Sequence, residues 1–174
     1  IGKIDFPEEE KIKVTVGDAL GNIPDHLEKK YTEAKTTFQK LMADGEKIIY
    51  NHEPMNHNKE VLNRIKHVPK GGNWQNIPKE IYNVGGEHSN NYRRLDPSKP
   101  SITLKHATKS MIIHPKFNRV VTAREVARLQ SFSDSFVIEG TVSEQHQQLA
   151  NAVPPLLAFE IAKKIKQKLE VVKL

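Results

Sequence analysis

The sequence predicts an α+β fold of short strands, long loops and helices. Three features carry that expectation. Apolar, β-branched runs are only three or four residues long, at 48–50, 101–104 and 111–113; helix-capping residues stand before apolar residues at helical spacing; and residues 69–100 are rich in Gly, Pro, Asn and Ser. The 174 residues allow one domain, or one and a fraction. Leu, Ile, Val and Phe make up about a quarter of the chain, enough for a core, and no apolar run approaches the ~18 residues that would span a bilayer. The absence of cysteine excludes disulfides, Cys-ligated zinc, iron–sulfur clusters and a thiol nucleophile supplied by these residues. No charged, apolar signal segment opens the sequence, so a cytoplasmic setting is expected, and a start at Ile1 raises the expectation of a longer product.

Taken in order, Thr15 is the N-cap of a first short helix, with Asp18 three residues on, and 21–24 (Gly-Asn-Ile-Pro) breaks it. A second helix is expected from Asp25, because Leu27, Tyr31, Ala34, Phe38, Leu41 and Met42 fall at helical spacing before Gly45. Ile48, Ile49 and Tyr50 suggest a short strand. Asn58 caps a helix with Val61, Leu62 and Ile65 on one face, and Pro69 stops it. The stretch that follows, with Gly71-Gly72-Asn73, Trp74 and Gly85-Gly86, is a long loop, and loops of that length inside a domain usually carry function. Strands are expected at 101–104 and 111–113, separated by the basic, polar segment 105–110. Thr122 and Glu125 form a capping box for a helix through Gln130, in which Val126, Ala127 and Leu129 face a core while Arg124 and Arg128 share another side. Ser143 is the expected cap of a helix to about Ala150. The final helix follows Pro154-Pro155 and carries Leu157, Ile161, Ile165 and Leu169 as a stripe.

The formal net charge is +6, and it is not spread evenly. Residues 1–60 hold nine basic and twelve acidic side chains, residues 61–131 thirteen and four, and residues 132–174 five and five. The middle third therefore carries the whole surplus, which points to an anionic partner. The eight histidines do not make a metal site: His52 and His57 are five apart, His106 and His114 eight apart, and no cysteine completes a set. No Gly-x-Ser-x-Gly elbow supports a serine hydrolase.

Two segments are more specific. Arg119-Val120-Val121-Thr122-Ala123-Arg124-Glu125-Val126-Ala127-Arg128-Leu129-Gln130, continuing to Asp134, resembles the ninth conserved motif of DNA cytosine-5 methyltransferases. Gln148-Leu149-Ala150-Asn151-Ala152-Val153-Pro154-Pro155 is similar to the tenth, and the order and spacing of the two also match. Upstream, Tyr92-Arg93-Arg94-Leu95-Asp96 followed by Pro100-Ser101-Ile102-Thr103-Leu104 resembles the end of the target-recognition domain of that family, with its Thr-Leu pair. Residues 14–24 and 68–78 are similar in style to the variable stretch of bacterial members, and residues 25–67 resemble nothing nameable.

Such enzymes transfer a methyl group from S-adenosylmethionine to C5 of a cytosine flipped out of duplex DNA, using a thiolate against C6 and an acid near N3. The Pro-Cys, Glu-Asn-Val and glycine-loop elements that supply this chemistry do not occur here. The resemblance is therefore to the C-terminal part, a recognition module followed by helices that would complete an α/β Rossmann-like domain. It implies a target-recognition region at 1–115, a ninth-motif helix at 116–140 and a returning segment at 141–174. By position, Asn151, Ala152 and Val153 would line the S-adenosylmethionine pocket once the catalytic half is present. Alanine at 150 departs from the usual glycine, and would be strained if that position needed a positive φ.

The resemblance makes Arg119, Thr122, Arg124, Glu125 and Arg128 structural, their partners being acidic residues or loop carbonyls. Arg93, Arg94, Thr103, Leu104, Lys105, His106 and Lys109 are the expected DNA contacts, most of them to phosphate, with Asn73, Trp74 and Gln75 as weaker candidates for groove insertion. The implied partners are double-stranded DNA and a catalytic half in the same or a separate chain. The alternative function is a freestanding DNA-binding or regulatory protein with no dependence on S-adenosylmethionine. The exposed stripe of the last helix leads to an expectation of self-association.

Overall fold

Side-chain oxygens decide where the helices of this protein begin. In the computed structural model, which describes residues 4–9, 11, 13–25, 27–82 and 90–172, six α-helices occur among the described residues. Helix α1 (Val16–Leu20) starts where the Thr15 hydroxyl accepts from Asp18 N, while the Asp18 carboxylate accepts from Thr15 N at 2.9 Å, the reciprocal box expected from the sequence. Gly17 is required there, because a Cβ would lie 2.7 Å from the carbonyl oxygen of Pro97. Helix α3 (Lys59–Lys66) is capped by Asn58, whose side chain accepts from Val61 N, and it buries Ile65. Helix α4 (Ala123–Leu129) has the full Thr122–Glu125 box and buries six of its seven residues. Helix α6 (Pro155–Val172) begins on a proline, whose missing N–H costs a helix nothing in its first turn.

Three expectations change. The helix foreseen from Asp25 does not start until Thr36, and α2 covers Thr37–Ala43. Residues 27–35 instead form no helix: Lys30 bridges Ile48, Ile49 N donates to Lys29 O at 3.0 Å, and Thr32 N donates to Asn22 O at 3.0 Å. These long-range backbone bonds replace the intrahelical ones, and the Thr36–Gln39 box sets the true start. The cap of α5 (Val142–Asn151) is Thr141 with Glu144 and not Ser143, which lies inside the first turn. The strands at 48–50, 101–104 and 111–113 do not form ladders. Pairing among the described residues is limited to three isolated bridges, Lys30 to Ile48, Arg94 to Ile113 and Ile113 to Val120. Of these runs only Ile113 pairs on two sides, with Arg94 and with Val120, and neither bridge extends to a neighbouring pair. Gly85-Gly86 of the long loop falls outside the described residues.

The main core packs α1, α4 and α5 together through Val16, Leu20, Val126, Ala127, Ile138 and Leu149, so it draws on residues from both ends of the chain. A second cluster holds Ile65, Val68, Ile77, Tyr92 and Ile113, with Trp74 and Tyr82 against it. No described helix is long and apolar enough to cross a membrane.

Candidate nucleic-acid interface

The base of the candidate site is a buried polar framework. Arg119 donates two parallel hydrogen bonds to Glu125, both 2.8 Å, and a third to Asp25 at 3.1 Å. Burial opposes ionisation of Glu125, but the Arg119 hydrogen bonds and charge outweigh it and hold the carboxyl below its ordinary range. The same carboxylate accepts from Thr122 N, so one acidic side chain caps α4 and anchors Arg119. Thr122 in turn reaches His52: the imidazole Nε2 lies 3.0 Å from the Pro24 carbonyl, which can only accept, so Nε2 carries the proton and Nδ1 accepts the Thr122 hydroxyl at 2.9 Å. His114 is held in the same tautomer, since Lys116 N and Phe117 N both donate to its Nδ1 at 3.0 Å. Burial pushes His114 down to about 4 despite the neighbouring Glu125.

Arg124 and Arg128 are both fully buried and end on carbonyls and carboxylate. Arg124 donates to Tyr50 O, Ser133 O and Phe136 O. Arg128 grips Asp134 through two nitrogens and also donates to Ala19 O and Asn22 Oδ1, with the Tyr31 ring 5.2 Å away. These two arginines tie α4 to the loop 131–138, to α1 and to the segment around residue 50. Sequence reasoning missed Asn51, His52 and His114 as members of this framework, and the buried His146 beside it. Only His146 had a signal, three residues before Leu149 on the buried side of α5; Asn51, at φ 57°, bonds both backbone groups of Ile138, 87 residues away, and no local pattern announces that.

Above this framework the expected DNA contacts divide. Thr103, Lys105 and Lys109 are exposed, Arg93 is half-buried, and Leu104 is half-buried against the main core. Two are corrected. Arg94 is buried, and its guanidinium donates to the carbonyls of Ile65, Val68, His114 and Phe117 and to Asn118 Oδ1, which satisfies all its nitrogens inside the protein. His106 is also buried, bonded to Thr108 and stacked on His146, and burial together with Lys109 lowers its pKa, so it presents no charge to a phosphate. Of the weaker candidates, Asn73 caps a 3-10 turn (Trp74–Asn76) and Trp74 packs against Tyr82; only Gln75 is exposed.

Asn151 ends α5 and is exposed, Ala152 is extended (φ −78°, ψ 152°), and Val153 is 60% exposed. Ala150 lies within α5 without a positive φ, so alanine is unstrained there. Asn151 also borders an open concavity of about 420 Å³ with Glu139, Gly140, Glu144, Gln147 and Gln148. Among the described residues no cluster of acidic or histidine side chains could hold a metal ion.

Residues 1–167 match the family described as C-5 cytosine-specific DNA methylase. The chain belongs to that family. It is 38% identical over 165 residues to the type II methyltransferase M1.HphI of Haemophilus parahaemolyticus, covering 94% of this chain and 40% of that protein. It is 34% identical to M.DdeI of Desulfomicrobium norvegicum, over 75% of this chain and 36% of the relative, and 30% identical to DNA (cytosine-5)-methyltransferase 4 of Arabidopsis thaliana, over 90% and 12%. A crystal structure assigned as a DNA modification methyltransferase encoded within an E. coli prophage superposes with a TM-score of 0.67 at 26% identity, covering 96% of this chain and 52% of that one. This methylase-family chain thus spans about half or less of the relatives it matches.

Proposed function

We propose that these residues are the C-terminal target-recognition portion of a DNA cytosine-5 methyltransferase, with the catalytic cysteine supplied by polypeptide outside them. The observation that carries this reading is that the family match runs over residues 1–167 while the 174 residues contain no cysteine. On this reading residues 1–115 form the recognition region, the α4 framework organises it, and residues 141–174 return to a Rossmann-like catalytic domain. The exposed apolar side chains of α6, among them Leu157, Phe159, Ile165 and Leu169, support that return, because an isolated helix gains nothing from such a face.

Duplex DNA meets the surface formed by Thr103, Lys105 and Lys109 with Arg93 at its edge, mostly through phosphates. The family's methyl donor, S-adenosylmethionine, fits Asn151 to Val153 as one wall only. The Asn151 amide N–H groups are free to donate while its oxygen accepts from Gln147, and the Val153 side chain offers an apolar contact, but both are too exposed to enclose a ligand alone. Here the donor would supply the methyl group, and these residues would bind and orient it.

The test is fluorescence anisotropy with labelled duplex DNA over about 50 to 200 mM salt. Affinity is expected to fall steeply, and Lys105→Ala/Lys109→Ala should flatten the log–log slope by about 2, one counterion for each lost phosphate contact. An unchanged slope would remove these lysines from the interface. Incubation of the chain alone with DNA and labelled S-adenosylmethionine should transfer no methyl group; transfer would overturn the reading.

A further inference from the structure

His146 is 1% exposed, and neither of its ring nitrogens has a hydrogen-bond partner. A buried imidazole left unbonded is costly, so its place needs a reason. Its ring stacks on His106, with centroids 6.1 Å apart and planes 27° from parallel, within the range of offset aromatic pairs. His106 belongs to the loop 105–110, and His146 sits mid-way along α5, which Gln130 ties to α4 by donating to Leu149 O at 2.9 Å. The backbone of Ser143, in the first turn of α5, also hydrogen-bonds the His106 imidazole. The loop is closed on itself by Ser110 N to His106 O at 3.1 Å and Ile112 N to Ala107 O at 2.9 Å. Lys105 and Lys109, the exposed cations, flank these anchored residues.

We infer that His146 is a positioning residue for the loop 105–110: the ring pair holds Lys105 and Lys109 in place for DNA, and it holds only while both imidazoles are neutral. The inference rests on the proposed DNA role of that loop. The charged groups that act on the pair are Lys109 beside His106 and Glu125 from α4, the latter already engaged by Arg119. A proton on His146 places a charge where water is excluded, and a proton on both rings places two like charges face to face. Burial already pushes His146 down to about 4, so the pair opens on the acid side.

Hydrogen-exchange mass spectrometry on the whole chain, with His146→Ala and His146→Phe, tests this. At neutral pH His146→Ala should raise exchange of the 107–112 amides about two- to tenfold, the range an aromatic pair supplies, with α4 amides unchanged. His146→Phe keeps a flat ring and should exchange like the wild type. Below about pH 5, wild-type loop exchange, corrected for intrinsic rates, should rise, and DNA affinity should weaken about tenfold although added positive charge alone would tighten it. His146→Phe should lose both effects, because a protonated His106 is attracted to a phenyl face. Wild-type loop exchange in His146→Ala, or full acid loosening in His146→Phe, would overturn the inference. If His146→Ala unfolds, the acid behaviour of His146→Phe decides alone. A wild-type chain that binds no DNA at neutral pH defeats the proposed function, and loop exchange still decides the positioning role.

Discussion

Replacing Arg128 by methionine isolates what the α4 framework contributes. The Arg128 guanidinium donates to Asp134 Oδ1 at 2.9 Å and to Oδ2, and its remaining nitrogen serves Asn22 Oδ1 at 2.9 Å and Ala19 O at 3.2 Å. Neither side chain of the ion pair is exposed to solvent. Arg128→Met therefore leaves a buried carboxylate without its hydrogen-bonded partner, with only the charge of Arg124 nearby, a loss of about 3–5 kcal/mol, and deprives two further acceptors of a donor at about 1 kcal/mol or more in total. The expected cost is about 4–6 kcal/mol, close to the lower end of what a domain possesses. Arg128→Met/Asp134→Leu removes both charges together and should recover to within about 2 kcal/mol of the wild type; since Asp134→Leu alone strands the arginine at about 3–5 kcal/mol, the coupling is about 5 kcal/mol or more. Urea denaturation followed by Trp74 fluorescence and far-ultraviolet circular dichroism measures all four corners of the cycle. A single-variant cost under about 1 kcal/mol, or a double variant as unstable as the single, would refute the argument that the pair is held by mutual compensation.

Acid should destabilise the fold through its buried histidines. His114 and His146 sit near 4 against an ordinary 6.5, so below pH 6.5 the unfolded chain binds more protons than the folded one. Stability is therefore present above pH 6.5, falls as pH drops toward 4 and levels below it; each group accounts for about 2 kcal/mol between pH 7 and pH 5. A urea midpoint that does not move over that interval would count against it. Arg94→Ala should lower the urea midpoint strongly, because it strips donors from four carbonyls, whereas a DNA-contacting arginine would change the salt slope of binding and leave the midpoint in place. The α6 face should drive self-association: sedimentation velocity is expected to show concentration-dependent oligomers that Ile165→Glu/Leu169→Glu disperses, and a monomer at every concentration would contradict this.

How far each feature could be read ahead depended on how local its cause is. The boxes at Thr15 and Thr122 and the Asn58 cap involve atoms three residues apart, and they were legible. The family resemblance was legible for a similar reason, since the strings at 119–134 and 148–155 that carry it are continuous. The non-helical course of residues 27–35 was not, because the helical spacing of Leu27, Tyr31 and Ala34 competed with backbone partners near residues 22 and 48. Leu27 in fact ends 79% exposed. The candidate site divided along the same line. Lys105 and Lys109 are charged residues in a polar loop, and solvent exposure is the ordinary fate of such residues. Arg94 and His106 have neighbours just as polar, yet they are buried.

By itself, then, the sequence determined the starts of α1, α3 and α4, the charge surplus between residues 61 and 131, the lack of a thiolate and the family to which the chain belongs. Tertiary structure alone decided which cations face outward. Arg94 turns inward because carbonyls from residues 65, 68, 114 and 117 converge on one point and need donors, and His106 because α5 brings His146 beneath it. Both outcomes depend on groups distant in sequence meeting where water is excluded, and there an unsatisfied carbonyl costs more than a buried guanidinium that satisfies several at once.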